Sequence, residues 1–142
     1  MMRAILLILL IFSGYTYANC ENIKDNDERA YCRAQQSGSG CDNIKNDDMR
    51  NACKGETTGS GCNNIRDNDK RNLCEAKQSG SGCDNIKNDD MRNACKGETT
   101  GSGCNNIRDD DQRNLCEAKQ SGHGCENIHN DDMRNQCRTL TQ

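Results

Sequence analysis

Twelve cysteines, two histidines, one recurrent arginine and short runs of aspartate are the residues of this chain whose chemistry reaches beyond packing. The cysteines are Cys20, Cys32, Cys41, Cys53, Cys62, Cys74, Cys83, Cys95, Cys104, Cys116, Cys125 and Cys137, so spacings of 12 and 9 alternate without exception. An even number at strict spacing predicts paired sulfur rather than a free thiolate nucleophile. Thiolate metal clusters use close cysteine pairs, and no two cysteines here are nearer than nine residues. Of the histidines, His123 replaces a loop serine, and His129 stands where the other units carry Lys24, Lys45, Arg66, Lys87 and Arg108. A zinc site of His123, Cys125 and His129 would take a cysteine from its partner, so no metal ligand, cofactor or catalytic residue is assigned. The runs Asp47-Asp48, Asp89-Asp90, Asp109-Asp110-Asp111 and Asp131-Asp132 invite a calcium reading. They lack the alternate acidic places, the glycine and the distal Glu of an EF-hand loop.

These residues recur with a period of 21, in units beginning at 20, 41, 62, 83, 104 and 125. Every unit has a first Cys, Asn at +2, Ile at +3, Asp at +7, Arg at +9 and a second Cys at +12, as in Cys41, Asn43, Ile44, Asp48, Arg50 and Cys53. Residues 41–82 and 83–124 differ only at Asn68/Asp110, Lys70/Gln112 and Ser81/His123, the mark of a duplicated pair of units. A fixed period of this size predicts a stacked array in which each unit covers its neighbour's apolar face. The expected fold is all-α: a disulfide-stapled solenoid of six helical-hairpin repeats.

Each unit reads as two short helices. The first holds Cys-x-Asn-Ile. Asp25, Asn46, Asp67, Asn88, Asp109 or Asn130 then caps a longer helix that runs through the second Cys. The Asp two places after the cap (Asp27, Asp48, Asp69, Asp90, Asp111, Asp132) falls in the first turn, where the macrodipole favours an anion. Gly-x-Gly between units suits turns with positive φ. Large side chains alternate between two positions of one helix face. Tyr31, Leu73 and Leu115 sit just before the second Cys of odd units, and Met49, Met91 and Met133 sit four before it in even units. Neighbouring interfaces should therefore differ, giving a true structural repeat of 42 residues.

Pairing within a unit and pairing across the nine-residue gap both respect the repeat. Loop entropy does not separate them, since closures this similar differ by about 0.2 kcal/mol. A hairpin centred on Asn26 places Cys20 opposite Cys32. That favours Cys20–Cys32, Cys41–Cys53, Cys62–Cys74, Cys83–Cys95, Cys104–Cys116 and Cys125–Cys137. The bridges are needed because only thirteen large apolar residues follow residue 18.

Ahead of the repeats, Met1, Met2 and Arg3 precede the apolar run Ala4 to Phe12 and small residues up to Ala18, which reads as a secretory signal peptide cleaved after Ala18. Residues 19–142 then form one repeat domain, exported to a periplasmic or extracellular space. Nothing after residue 18 is apolar enough to anchor in a membrane. Of the 19 Lys and Arg, only Arg3 precedes that point, leaving 18 against 22 acidic residues, and such a balance excludes a nucleic-acid partner.

The string Cys-x-Asn-Ile-x-Asp/Asn-x-Asp-x-Arg-x-x-Cys resembles the repeat of small exported cysteine-rich proteins of bacteria, and it covers essentially all the chain after residue 18. That resemblance implies an envelope location and brings no catalytic residues. The leading functional expectation is a non-catalytic module that binds a protein partner as inhibitor, immunity-type protein or adaptor. Arg29, Arg50, Arg71, Arg92, Arg113 and Arg134 are its candidate binding face. Against this, the arginines could simply bridge capping aspartates or helix-end carbonyls of a neighbour. A structural or calcium-binding envelope protein is the alternative function. Oligomeric state is left open.

Overall fold

The computed structural model describes residues 20–141, so the signal-peptide reading lies outside the described residues. Six α-helices follow one another: α1 (Asn26–Ser37), α2 (Asp47–Thr58), α3 (Asn68–Ser79), α4 (Asp89–Thr100), α5 (Asp110–Ser121) and α6 (Asp131–Leu140). Each starts at the expected cap. The Asn46 side chain accepts from the Met49 amide, for example, and that of Asp67 from the Lys70 amide. The first five end on a left-handed glycine, such as Gly38 at φ 71° and Gly59 at φ 73°.

The leading Cys-x-Asn of each unit is shorter than expected. It makes a single turn of 3-10 helix, Cys41–Asn43 in the second unit and Cys104–Asn106 in the fifth, and not a helix through Ile. Gly40 at φ 97° bends the chain into that turn, and Ile44 leaves it extended, so three residues are all that fit. Six disulfides join this turn to the following helix across the 12-residue spacing: Cys20–Cys32, Cys41–Cys53, Cys62–Cys74, Cys83–Cys95, Cys104–Cys116 and Cys125–Cys137. Their Cα separations of 5.6–5.7 Å are those of unforced bridges, and pairing across the nine-residue gap does not occur.

The core consists of these disulfides and one Ile per unit, each Ile about 1% exposed. A helix covers the next unit's disulfide with the residue two places after its second Cys, and at this position, which the sequence reading did not single out, neighbouring interfaces differ as the 42-residue repeat expects. Odd helices use Ala34, Ala76 and Ala118, which pack on Cys41–Cys53, Cys83–Cys95 and Cys125–Cys137. Even helices use Gly55 and Gly97. A Cβ at Gly55 would lie 2.3 Å from the Cys74 sulfur and 2.7 Å from that of Cys62. At Gly97 the same distances are 2.4 Å to Cys116 and 2.7 Å to Cys104. The sixth helix has Thr139 at this place, with its hydroxyl 3.6 Å from the Cys32 sulfur.

That last contact joins the two ends of the chain: the stack closes into a ring. Both carboxylate oxygens of Asp27 accept from the Lys45 and Asn46 amides of the following unit, at 2.9 and 2.8 Å. The same pair recurs from Asp48, Asp69, Asp90 and Asp111 to their successors. Asp132 completes the set by accepting from Lys24 and Asp25 at the other end of the sequence, at 2.9 and 3.4 Å. A second bond follows suit. The Asn51, Asn72, Asn93 and Asn114 side chains donate to the next unit's Asn carbonyl, and Asn135 donates to Asn22 at 3.2 Å. A solenoid whose unit-to-unit rotation brings unit six back onto unit one leaves no terminal face needing a polar cap.

Candidate functional site

Closure gives the ring an inside. Residues four before, one before and three after the second Cys share one helix face, and that face points to the axis. The alternating large residues found in the sequence are its middle layers: Tyr31, Leu73, Leu115, Met49, Met91 and Met133 pack inward against the Ile and disulfide clusters. In the layer just before the second Cys, Tyr31, Leu73 and Leu115 alternate with Ala52, Ala94 and Gln136, and in the layer four before it the methionines alternate with Glu28, Lys70 and Gln112.

Toward the helix C-terminal end the axis opens into a recess of about 810 Å³ with walls from all six units. Its belt, read around the ring, is Gln35, Glu56, Lys77, Glu98, Lys119 and Leu140. Lys77 lies between two carboxylates, 2.9 Å from Glu56 and 3.0 Å from Glu98. Glu98 takes a second ammonium from Lys119 at 2.6 Å. Glu56 also accepts from the Tyr31 hydroxyl at 2.5 Å and from the Gln35 amide at 2.9 Å. Burial on its own would push Glu56 and Glu98 up, but the Lys77 ammonium and the other donors outweigh it and hold both below the usual carboxylate range. Burial works likewise against the Lys77 charge, and Glu98 and Glu56 overcome it, raising that ammonium above the ordinary lysine range. Burial, then the Glu56 charge, pushes the Tyr31 phenol far up, so it stays a hydrogen-bond donor at any physiological pH. Glu56, Lys77 and Glu98 thus hold one another in their charged forms.

The arginines singled out in the sequence are placed differently. Each one sends Nη1 to the Ile carbonyl of its own unit, as Arg50 does to Ile44 at 2.9 Å and Arg92 to Ile86 at 2.9 Å. Arg29, Arg71, Arg113 and Arg134 repeat this. Nη2 contacts the side chain three residues earlier, Asp47 in the case of Arg50 and Asn26 in that of Arg29. The six guanidiniums, all partly exposed, therefore brace the turn-to-helix corner of their own unit, and Arg50 and Arg92 also attract the Asp27 and Asp69 carboxylates of the preceding units. Bridging to the neighbour falls to the repeated Asp. Cys125 is bonded to Cys137, and the His129 ring lies 3.3 Å from Asp111, so the histidine region serves the frame as well. Among the described residues no helix is long and apolar enough to cross a membrane.

Sequence reasoning missed the belt. Its signal was present in the residue three after each second Cys, where Glu and Lys alternate through the four central units.

No family model, curated protein or solved structure matches this chain. What places it is its own repeat: six tandem helical units, each closed by one disulfide. Those six bridges fit an oxidising compartment.

The interunit aspartates give the ring a pH dependence with a definite sign. Backbone hydrogen bonds from the next unit hold the Asp27, Asp48, Asp69 and Asp111 carboxyls below their ordinary value of 3.8. A carboxyl depressed in the folded state stabilises fully above its unfolded pKa, and the contribution is lost as pH falls through the folded value. The thermal midpoint should therefore be flat above about pH 5 and fall steadily below about pH 4. Asp48→Asn, which keeps one acceptor oxygen and removes the charge, should lower the midpoint at neutral pH and flatten the acid slope. A melting series across that range checks both.

Proposed function

We propose that the protein is an exported, non-catalytic binding module of the periplasm or extracellular space that engages a protein partner at the axial recess of its ring. The recess carries this reading: one cavity of about 810 Å³ to which every unit contributes, lined by alternating fixed charges on a disulfide framework. A site of that volume suits a side chain or chain end of another protein. Preorganisation by six covalent bridges lowers the ordering cost of binding. The non-catalytic character is supported by the residues themselves. The cysteines are all bonded, the belt charges neutralise one another, and the interunit carboxylates are occupied by backbone amides. The arginines expected from the sequence as a binding face keep a supporting role, bracing the turn-to-helix corner of each unit.

The test is retention of a protein from the organism's own exported fraction on the immobilised, oxidised chain. One partner should be held at equimolar ratio, and Leu140→Trp, which fills the mouth of the recess without touching the frame, should reduce its retention about tenfold or more. Equal retention by the wild type and by Leu140→Trp would place any binding elsewhere on the ring, and absence of a retained partner would remove the reading altogether.

A further inference from the structure

The belt of charges is incomplete on one side, and the gap has a chemical character of its own. Going round from Gln35, each carboxylate meets two or more donors, and Lys77 meets two carboxylates. Lys119 is different. Among the described residues its ammonium has Glu98 as its one carboxylate partner, and the next position in the belt is Leu140. An ammonium carries three donors, so Lys119 retains capacity for an anionic oxygen. Leu140 is the exposed large apolar residue of the described chain, at 38%. On its far side stands Gln35, whose carboxamide nitrogen is held by Glu56.

An underused cation and an exposed apolar surface thus follow one another at the seam between the last unit and the first. We propose that this sector of the recess takes the free C-terminus of a partner chain that ends in an apolar residue. The terminal carboxylate would pair with Lys119, and the apolar side chain would cover Leu140. A carboxylate and an apolar side chain occur side by side at the end of a polypeptide. A simple anion would satisfy Lys119 alone, and an internal peptide segment offers no charge to it. Charge-assisted pairing in a walled recess is the stronger kind of hydrogen bond, so this contact would dominate recognition. The proposal rests on the recess being the binding site and adds the class of ligand.

The probe is an N-terminally labelled hexapeptide ending in Leu as the free acid, titrated with the oxidised wild-type chain and followed by fluorescence anisotropy. Saturable binding is expected. The C-terminal amide of the same peptide should bind about tenfold more weakly or worse, and a free acid ending in Ser should also lose affinity. Lys119→Met should reproduce the loss seen with the amide, and Lys119→Arg should retain binding. The amide comparison uses unaltered protein, so it stands whether or not the variants fold. Equal binding of acid and amide, equal binding of Leu-ended and Ser-ended acids, or no saturable binding of the Leu-ended acid would overturn the proposal. If a protein partner is nevertheless retained and released by Leu140→Trp, the recess reading survives and only the ligand class fails.

Discussion

Reduction of the six disulfides should abolish the helical fold, with far-ultraviolet circular dichroism falling to that of a coil and no cooperative melting transition left. The expectation follows from what the interior contains. The fully buried side chains are one Ile per unit, the bridges themselves and a few alanines, and no unit has an apolar core without its own pair of sulfurs. In the chain-entropy account, closing a loop of this length is worth about 3 kcal/mol, so six bridges amount to roughly 18 kcal/mol, more than the ~5–15 kcal/mol net stability of an ordinary domain. Reduction also strips the interunit contacts, because Ala34, Ala76, Ala118, Gly55 and Gly97 pack on the sulfur bridges of the following units. Replacement of one pair only, Cys83→Ser with Cys95→Ser, should be milder and local to the fourth unit and its two neighbours. A reduced sample that kept its helices and melted cooperatively would contradict the whole structural account.

A single methyl group at Gly55 or Gly97 should cost more than its local effect suggests. In a helix interior Gly→Ala ordinarily stabilises by up to about 1 kcal/mol. Here the added carbon would sit 2.3 Å from the Cys74 sulfur at Gly55 and 2.4 Å from that of Cys116 at Gly97. Those sulfurs are bonded, to Cys62 and Cys104, and buried, so relief requires the helices to separate. Overpacking of this kind costs about 1–3 kcal/mol, which outweighs the helical gain. Gly55→Ala should therefore lower the thermal midpoint by several degrees and Gly55→Val by more, with Gly97 behaving alike. The ring contains its own control: at the seam the same place holds Thr139, and there the helix lies beside the Cys32 sulfur through a hydroxyl contact at 3.6 Å. Thr139→Ala should be tolerated where Gly55→Ala is not. Melting curves of these variants decide the matter, and an unchanged or raised midpoint for Gly55→Ala would show that the α2–α3 contact yields more easily than the bonded sulfurs suggest.

Much of the unit could be read directly from the residues. The caps at Asp25, Asn46 and their equivalents, the pairing of Cys20 with Cys32 through to Cys104 with Cys116 and Cys125 with Cys137, and the alternation of large side chains all depend on groups a few residues apart, so local spacing determines them. The first helix of each unit was overestimated because Ile44 and its equivalents look like helical residues, when the bend at Gly40 and the exit to the cap leave space for one 3-10 turn.

Closure, the inner belt and the partner of the repeated Asp were decided only by the tertiary structure. Asp27 looked sufficiently explained as a first-turn anion, yet its oxygens are taken by the Lys45 and Asn46 amides, and a backbone amide leaves no mark in the residue string. Whether six units make a rod, a spiral or a ring depends on the small rotation between neighbours. Packing at Ala34, Gly55 and their equivalents sets that rotation, and its sum over six steps returns Asp132 to Lys24. The sequence alone establishes which unit repeats and what staples it. The accumulated angle, which no single unit encodes, turns one ordinary helix face into the wall of a recess.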